Sequence, residues 1–182
     1  MYRGVAYAHL RQPDADLAAF LARVPLKFSL GGGMTSVFLD GEDVTEKIRT
    51  PEISLLASSL SQDRCVRAYL TAMQREMGKD GGIVLEGRDT GSVVFPDAEI
   101  KFYLDADIEE RARRRHLEFA ARNEGGDLQK VKAEIEKRDR NDSERGIAPL
   151  VRPEGAVYVD TTGLSIEQVV ETLSSHVRQA ER

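Results

Sequence analysis

The chain has 182 residues, of which 41% are hydrophobic and 31% are charged, with a formal net charge of -5 and a single cysteine, Cys65. This length is enough for one domain with a real core. The acidic balance argues against a nucleic-acid partner, and no apolar run approaches the roughly 20 residues of a membrane span. A lone cysteine cannot form an internal disulfide and fits a reducing compartment, so we expect a cytoplasmic protein.

The N-terminal part predicts a short helix followed by a small antiparallel sheet. Residues 14–23, "DADLAAFLAR", favour a helix with Asp14 or Asp16 at its N-terminal cap. The β-prone pieces "LKFSL" and "TSVFLDG" follow, separated by the glycine-rich "GGGM". Short strands broken by glycines are typical of an antiparallel sheet or hairpin.

Two helices are predicted between this sheet and residue 78. Thr50 and Pro51 are typical of a helix N-cap and first helical position. We expect the next helix to begin at Ser61 and to end near Gly78. Its buried stripe has helical spacing and consists of Val66, Leu70, Met73 and Met77.

In the remainder of the chain, apolar strands alternate with helices. The predicted strands are "GIVLE", "EIKFYLDA" and "GAVYVDT", and the helices are "IEERARRRHLEFAARN", "LQKVKAEIEKRDRND" and "IEQVVETLSSHV". Such alternation predicts an α/β fold, a parallel sheet with helices on both faces. Ligands of these sheets bind beyond the carboxyl ends of the strands.

The segment "GRDTG" follows the first of these predicted strands and has two interpretations. It could be an ordinary turn, because Gly, Asp and Thr are common in turns. It could also belong to a site, since Arg88 and Asp89 would lie at the carboxyl end of a strand.

The helix from Leu128 has a stripe that changes chemistry along its length. Leu128, Val131 and Ile135 mark a buried face, and the same phase continues through Arg138, Asp142 and Arg145. If the helix continues, two guanidiniums and a carboxylate face inward and need partners, such as an anionic ligand with hydroxyl groups. If the helix ends near Arg138, "RDRNDSERG" is a solvated coil.

The arginines of "ERARRR" also leave two interpretations open. Arg111, Arg113, Arg114 and Arg115 could form a solvated face with i,i+4 partners among the glutamates. Alternatively, Arg111 and Arg115 share a face and could bind a polyphosphate. The three histidines and Cys65 match neither a metal-ligand spacing nor a nucleophile arrangement, so we predict no metal site from the chain's own residues.

Four segments together resemble bacterial cytidylate kinase. They are "EGRDTGSVVFPDAEIKFYLDA", "ERARRR", "EIEKRDRNDSERGIAPLV" and "VDTTGLSIEQVV", and "LDGEDVTEKIRTPEIS" is similar to the family's substrate-binding insertion. The resemblance implies a P-loop nucleoside monophosphate kinase-like fold that transfers the γ-phosphate of ATP, with Mg²⁺, to CMP or dCMP. We also expect a monomer whose partners are these small molecules.

The resemblance also implies roles for individual residues. The cytosine would be contacted by Ser58, Arg67 and Asp89. The sugar would be held by Arg138 and Asp142. The substrate phosphate would be bound by Arg3, Arg88 and Arg145. The lid that closes on ATP would contain Arg111, Arg114 and Arg115. The residues expected to act in catalysis are Arg88, Arg145, Arg111 and Arg115.

By the same resemblance, residues 1–182 form a single domain, with the insertion at about 24–62 and the lid at about 110–145. The family's first strand and its phosphate loop, G-x-x-x-x-G-K-[ST] or a close variant, do not occur in these residues. We therefore expect an N-terminally incomplete domain with little kinase activity of its own. The alternative is a non-catalytic CMP-binding pseudo-kinase or scaffold protein.

Overall fold

The computed structural model describes residues 1–13, 16–31, 34–121 and 125–180. It divides into two compact units, Met1–Ile83 and Val84–Arg182, which are considered separately below. No described helix is both long enough and apolar enough to pass through a membrane.

In the part that the structure describes, the first unit combines four α-helices with one antiparallel sheet. Its helices are α1 (Tyr2–Leu10), α2 (Leu17–Leu21), α3 (Pro51–Leu60) and α4 (Arg64–Gly78). Its strands are β1 (Leu26–Gly31), β2 (Met34–Leu39) and β3 (Glu42–Asp43), paired in that order. The expected antiparallel sheet is therefore present, while its role as a substrate-binding insertion stays a prediction. Two residues of the "GGGM" segment, 32 and 33, lie outside the described residues.

The predicted helix caps of this unit are partly confirmed. Thr50 accepts from the amide of Ile53 at 3.2 Å, with Pro51 at the first helical position. Asp16 caps α2, whereas Asp14 lies outside the described residues. The expected helix start at Ser61 is wrong. Helix α4 begins at Arg64, because the carboxylate of Asp63 accepts from the next amides and forms the cap.

In the core of the first unit, α1 packs against α3 and β2, and α2 packs against α4. Val5, Val66 and Leu70 are fully buried, and Ile53 is nearly so. Val66 and Leu70 belong to the predicted stripe of α4, so its helical spacing correctly marks the inward face.

Among its described residues, the second unit contains one parallel sheet and three α-helices. Its strands are β4 (Phe102–Asp105) and β5 (Val157–Asp160), and its helices are α5 (Ile108–Ala121), α6 (Leu128–Glu144) and α7 (Ile166–Ala180). β4 and β5 pair in parallel, from Phe102 opposite Val157 to Asp105 opposite Asp160. The predicted parallel sheet is thus present with two strands. Ser165 and Gln168 bond to each other's backbone amides at the start of α7, as a capping box does.

The prediction of a strand at "GIVLE" is wrong. These residues have no regular structure, and Val84 is fully exposed. A strand needs a neighbour to satisfy its backbone groups, and no strand of the described residues pairs with this segment. Gly81 and Gly82 also have φ values of 71° and 64°, which interrupt any extended backbone at its start.

Candidate active site

The "GRDTG" segment forms a tight turn that holds Arg88 and Asp89. Asp89 precedes a single π-helical turn, Thr90–Val94, and its carbonyl accepts from two amides of that turn at 2.9 and 3.2 Å. A Cβ at Gly87 would lie 2.8 Å from the Thr90 side chain, so a glycine suits this close approach. The turn interpretation and the site interpretation are therefore compatible.

Helix α6 continues through the charged part of its stripe. It runs to Glu144, and Arg145 is its C-cap residue. Val131 is 5% exposed and Asp142 is 6% exposed, so the buried face changes from apolar to charged along one helix. The solvated-coil alternative is wrong for Arg138 and Asp142.

Asp142 is the centre of a cluster of ion pairs. Its Oδ2 lies 3.2 Å from Arg88 Nε and 3.8 Å from Arg138 Nε. Its Oδ1 lies 3.5 Å from Arg145 Nη1, and Arg145 Nη2 lies 4.0 Å from Asp89 Oδ1. The turn and the end of α6 are thereby joined through charged side chains, and the Arg145 side chain is only 5% exposed.

Sequence reasoning assigned no role to Asp139, which extends this cluster to α5. Asp139 pairs with Arg111 of α5, and its Oδ1 lies 3.7 Å from Arg88 Nη1. Asp139 follows the stripe residue Ile135 by four positions, so helical spacing could have placed it on the same face. We call the whole set of paired residues the arginine–aspartate network; its members are Arg88, Asp89, Arg111, Arg138, Asp139, Asp142 and Arg145.

The network favours binding of an anion. Its four arginines and three aspartates carry one excess positive charge when all of them are ionised. Desolvation, followed by repulsion from Arg88, lowers the pKa of Arg138. Since 53% of the Arg138 side chain is exposed, solvent offsets part of the desolvation. The repulsion from Arg88 reflects the crowding of positive charge in the network. A phosphate would neutralise the excess charge.

The three expected lid arginines of α5 have different surroundings. Arg114 donates to the carbonyl and hydroxyl oxygens of Thr161 at 2.6 and 3.1 Å, and to Glu110 at 2.7 Å. It therefore ties α5 to the residues that follow β5. Arg115 pairs with Glu118 at 3.1 Å, and its guanidinium lies over the Phe119 ring at 4.7 Å. Arg111 is joined to the network through Asp139, which also pairs with Arg88.

The remaining expected site residues belong to the unit of residues 1–83. Arg67 of α4 is 4% exposed; it donates to the Ser61 carbonyl at 2.9 Å and lies over the Tyr2 ring. Arg3 of α1 and Ser58 of α3 are half-buried. Among the residues that the structure describes, no three His, Cys, Asp or Glu side chains converge as a metal site would require.

The chain matches one protein-family model over nearly its whole length. The family model described as "Cytidylate kinase" matches residues 1–179. The chain belongs to the cytidylate kinase family. The resemblance drawn from the sequence motifs is thereby confirmed.

Individual members of the cytidylate kinase family are similar over almost the whole chain. A cytidylate kinase from Geobacter sulfurreducens is 46% identical, with 100% of this chain and 80% of the relative's length covered. One from Citrifermentans bemidjiense is 47% identical, covering 98% of this chain and 79% of the relative. One from Bacillus cereus is 42% identical, covering 97% of this chain and 81% of the relative.

Proposed function

We propose that this protein binds CMP or dCMP and serves the transfer of the ATP γ-phosphate to it, giving CDP or dCDP. The observation that carries the proposal is the arginine–aspartate network, in a chain that belongs to the cytidylate kinase family. Phosphoryl transfer needs positioned positive charge rather than a covalent nucleophile. The network supplies guanidiniums fixed by carboxylates, which is the preorganisation that this reaction requires.

The aspartates of the network suit the polar edges of a nucleoside. Asp89 would accept from the exocyclic N4 amine of cytosine, in the way that carboxylates read this base. Asp142 Oδ2 is buried and accepts no hydrogen bond from the described residues, although guanidiniums lie nearby. A ribose hydroxyl would satisfy this oxygen, and Arg138 would flank the sugar. The roles that the resemblance implies for Ser58 and Arg67 stay predictions.

The arginines of the network suit the phosphates. Arg88 and Arg145 would bind the phosphate of CMP. The role that the resemblance implies for Arg3 stays a prediction. Arg111 would reach the phosphates of ATP from the same network, and Arg115 from the exposed face of α5. The engagement of Arg114 with Thr161 and Glu110 supports a positioning role for that residue instead.

Mg²⁺ would enter with ATP and neutralise charge that develops on the phosphates. This ion keeps several waters and takes only one or two protein carboxylates beside phosphate oxygens. The carboxylates of the network already pair with arginines. We therefore assign no Mg²⁺ ligand within the described residues and expect the phosphates to carry the ion.

Calorimetric titration of the 182-residue protein with CMP, UMP and cytidine tests this proposal. We expect CMP to bind more tightly than UMP, because of the base contact, and more tightly than cytidine, because of the phosphate contact. Asp142→Asn should weaken CMP about tenfold, since charged hydrogen bonds contribute about 1.5–3 kcal/mol. Glu144→Gln removes an exposed charge from the same helix and is the control.

Two results would contradict the proposal. One is the absence of CMP binding by the folded protein, and the other is equal affinity for CMP and cytidine. A coupled assay for CDP formation from ATP and CMP then measures catalysis separately. Binding with little CDP formation is the result expected for these residues, whereas rapid CDP formation would contradict the expectation of low activity.

A further inference from the structure

Asp139 lies between two arginines that belong to different parts of the second unit. One of its carboxylate oxygens accepts from Arg111 Nη1 on α5. The other, Oδ1, lies 3.7 Å from Nη1 of Arg88 in the turn. The Asp139 side chain is 23% exposed, so solvent screens these pairs only partly.

Both arginines are also held at a second point. Arg111 Nε donates to the Ala106 carbonyl at 2.9 Å, just before α5 begins. Arg88 Nε lies 3.2 Å from Asp142 Oδ2. Two hydrogen bonds therefore fix the guanidinium of Arg111, and two ion pairs restrain that of Arg88. Asp139 provides one contact to each. A planar guanidinium held in this way loses little further freedom when it binds a phosphate.

We propose that Asp139 is a positioning residue, which holds Arg111 and Arg88 in a fixed relation so that their remaining donors meet the phosphates. The inference rests on the proposed function, since it concerns the same site. Without Asp139, two like charges would face each other with no carboxylate between them, and repulsion would drive the two side chains apart. Asp139 Oδ1 is buried and accepts no hydrogen bond from the described residues. It therefore has unused capacity to take up Arg88 Nη1 more closely when a phosphate binds.

The direction in which Asp139→Asn changes the affinity for CMP separates a positioning role from a simple charge effect. Asp139→Asn removes a negative charge beside arginines that bind a phosphate. By charge alone, that change would raise the affinity for the anion CMP. If Asp139 positions the arginines, the affinity falls instead, by about tenfold, because a charge-assisted contact is lost.

The experiment compares the Kd of CMP and of cytidine for the unmodified protein, Asp139→Asn and Glu144→Gln. Glu144 lines the same open depression on the surface of α5 and α6 as Arg111 and Asp139, so it is a matched control for loss of one charge. We expect Asp139→Asn to weaken CMP about tenfold and to leave cytidine within about twofold, because cytidine lacks the phosphate. Glu144→Gln should change neither.

A second measurement uses the ligand-free protein. Nuclear magnetic resonance of the arginine Nε–H groups should show that Asp139→Asn shifts the signals of both Arg88 and Arg111, whereas Glu144→Gln shifts neither. A shift of only one of them would overturn the bridging role, even if the affinity for CMP falls.

The remaining outcomes are equally decisive. Unchanged or tighter CMP binding in Asp139→Asn overturns the positioning role, and so does a parallel loss of cytidine binding. If the unmodified protein does not bind CMP, the proposed function fails and the role of Asp139 fails with it. The two failures are distinguishable, because the first occurs only in the variant and the second already in the unmodified protein.

Discussion

Substitution of Asp89 by Asn should remove most of the preference for CMP over UMP. UMP carries a carbonyl oxygen where CMP carries the N4 amine. An ionised carboxylate only accepts hydrogen bonds, so Asp89 would attract the amine and repel the carbonyl. An Asn amide can either accept or donate, and it therefore suits both bases.

The size of the effect follows from the surroundings of Asp89. Its side chain is 11% exposed, so a base contact there is largely shielded from water. A hydrogen bond to a charged group contributes about 1.5–3 kcal/mol, which corresponds to a factor of about 10–150 in affinity. We expect the ratio of the CMP and UMP affinities to fall by that factor.

The structure also indicates that this variant will fold. Loss of the Asp89 charge leaves Arg145 with Asp142, whose Oδ1 lies 3.5 Å from Arg145 Nη1. The buried guanidinium therefore keeps a carboxylate partner, and the large penalty for an unpaired buried charge is avoided. Asp97→Asn, an exposed position in the same unit, is the matched control.

The assay is calorimetric titration of both nucleotides into the unmodified protein and the two variants, with thermal unfolding as a check on folding. If Asp89→Asn is folded and keeps the CMP:UMP ratio of the unmodified protein, the assignment of Asp89 to the base is wrong. An equal loss in Asp97→Asn would show that the effect is not specific to the site.

Three further outcomes are expected elsewhere in the second unit. Arg114→Lys should lower the Tm, because Lys cannot reproduce the forked contacts that Arg114 makes with Thr161 after β5. The Kd of CMP should not change. A weaker CMP Kd with an unchanged Tm would contradict the structural role of Arg114. Hydrogen bonds from Arg113 and Arg114 lower the pKa of Glu110 from 4.5 to about 2, so its contribution to stability is complete above about pH 5 and is lost as the pH falls towards 2. Glu110→Gln should therefore flatten the fall of Tm over that range, and parallel Tm–pH curves would refute this. Ser165→Ala should remove the cap of α7 and destabilise the protein by about 1 kcal/mol, measured by denaturant unfolding, whereas Ser174→Ala in the middle of the helix should not.

Elements with strong local signals were predictable from the sequence. Helix α6 followed from its apolar spacing, and β4 and β5 followed from their apolar runs. Each of these signals lies within a few residues of the structure that it predicts. The same holds for Thr50 and Pro51 at the start of α3.

The "GIVLE" strand shows where local reasoning fails. Its composition favours a strand, but the hydrogen bonds of a strand come from its neighbour. Val84 is apolar but fully exposed, and no strand of the described residues pairs with its backbone. A short apolar run therefore predicts a tendency to pair, and whether a strand forms depends on residues elsewhere in the chain.

Contacts between distant residues limited the prediction of the site in the same way. Arg111 and Asp139 are 28 positions apart, and Arg114 and Thr161 are 47 apart, so no single window of the sequence contains either pair. The sequence identifies Arg111, Arg114 and Arg115 as candidates, but the residues that each of them contacts decide its role. The structure separates an arginine that faces the network from one that ties α5 to the loop after β5.

The strongest sequence signal for the site was the phase of α6 rather than its charge. A run of charged residues is common on solvated helices and says little about binding. In α6, however, Asp142 lies on the same face as Val131, and both are buried. A buried carboxylate must find a partner, and Asp142 finds three arginines from the turn, the helix and the helix end. An apolar stripe that becomes charged without changing face therefore predicts a polar site, whereas the number of charges alone does not.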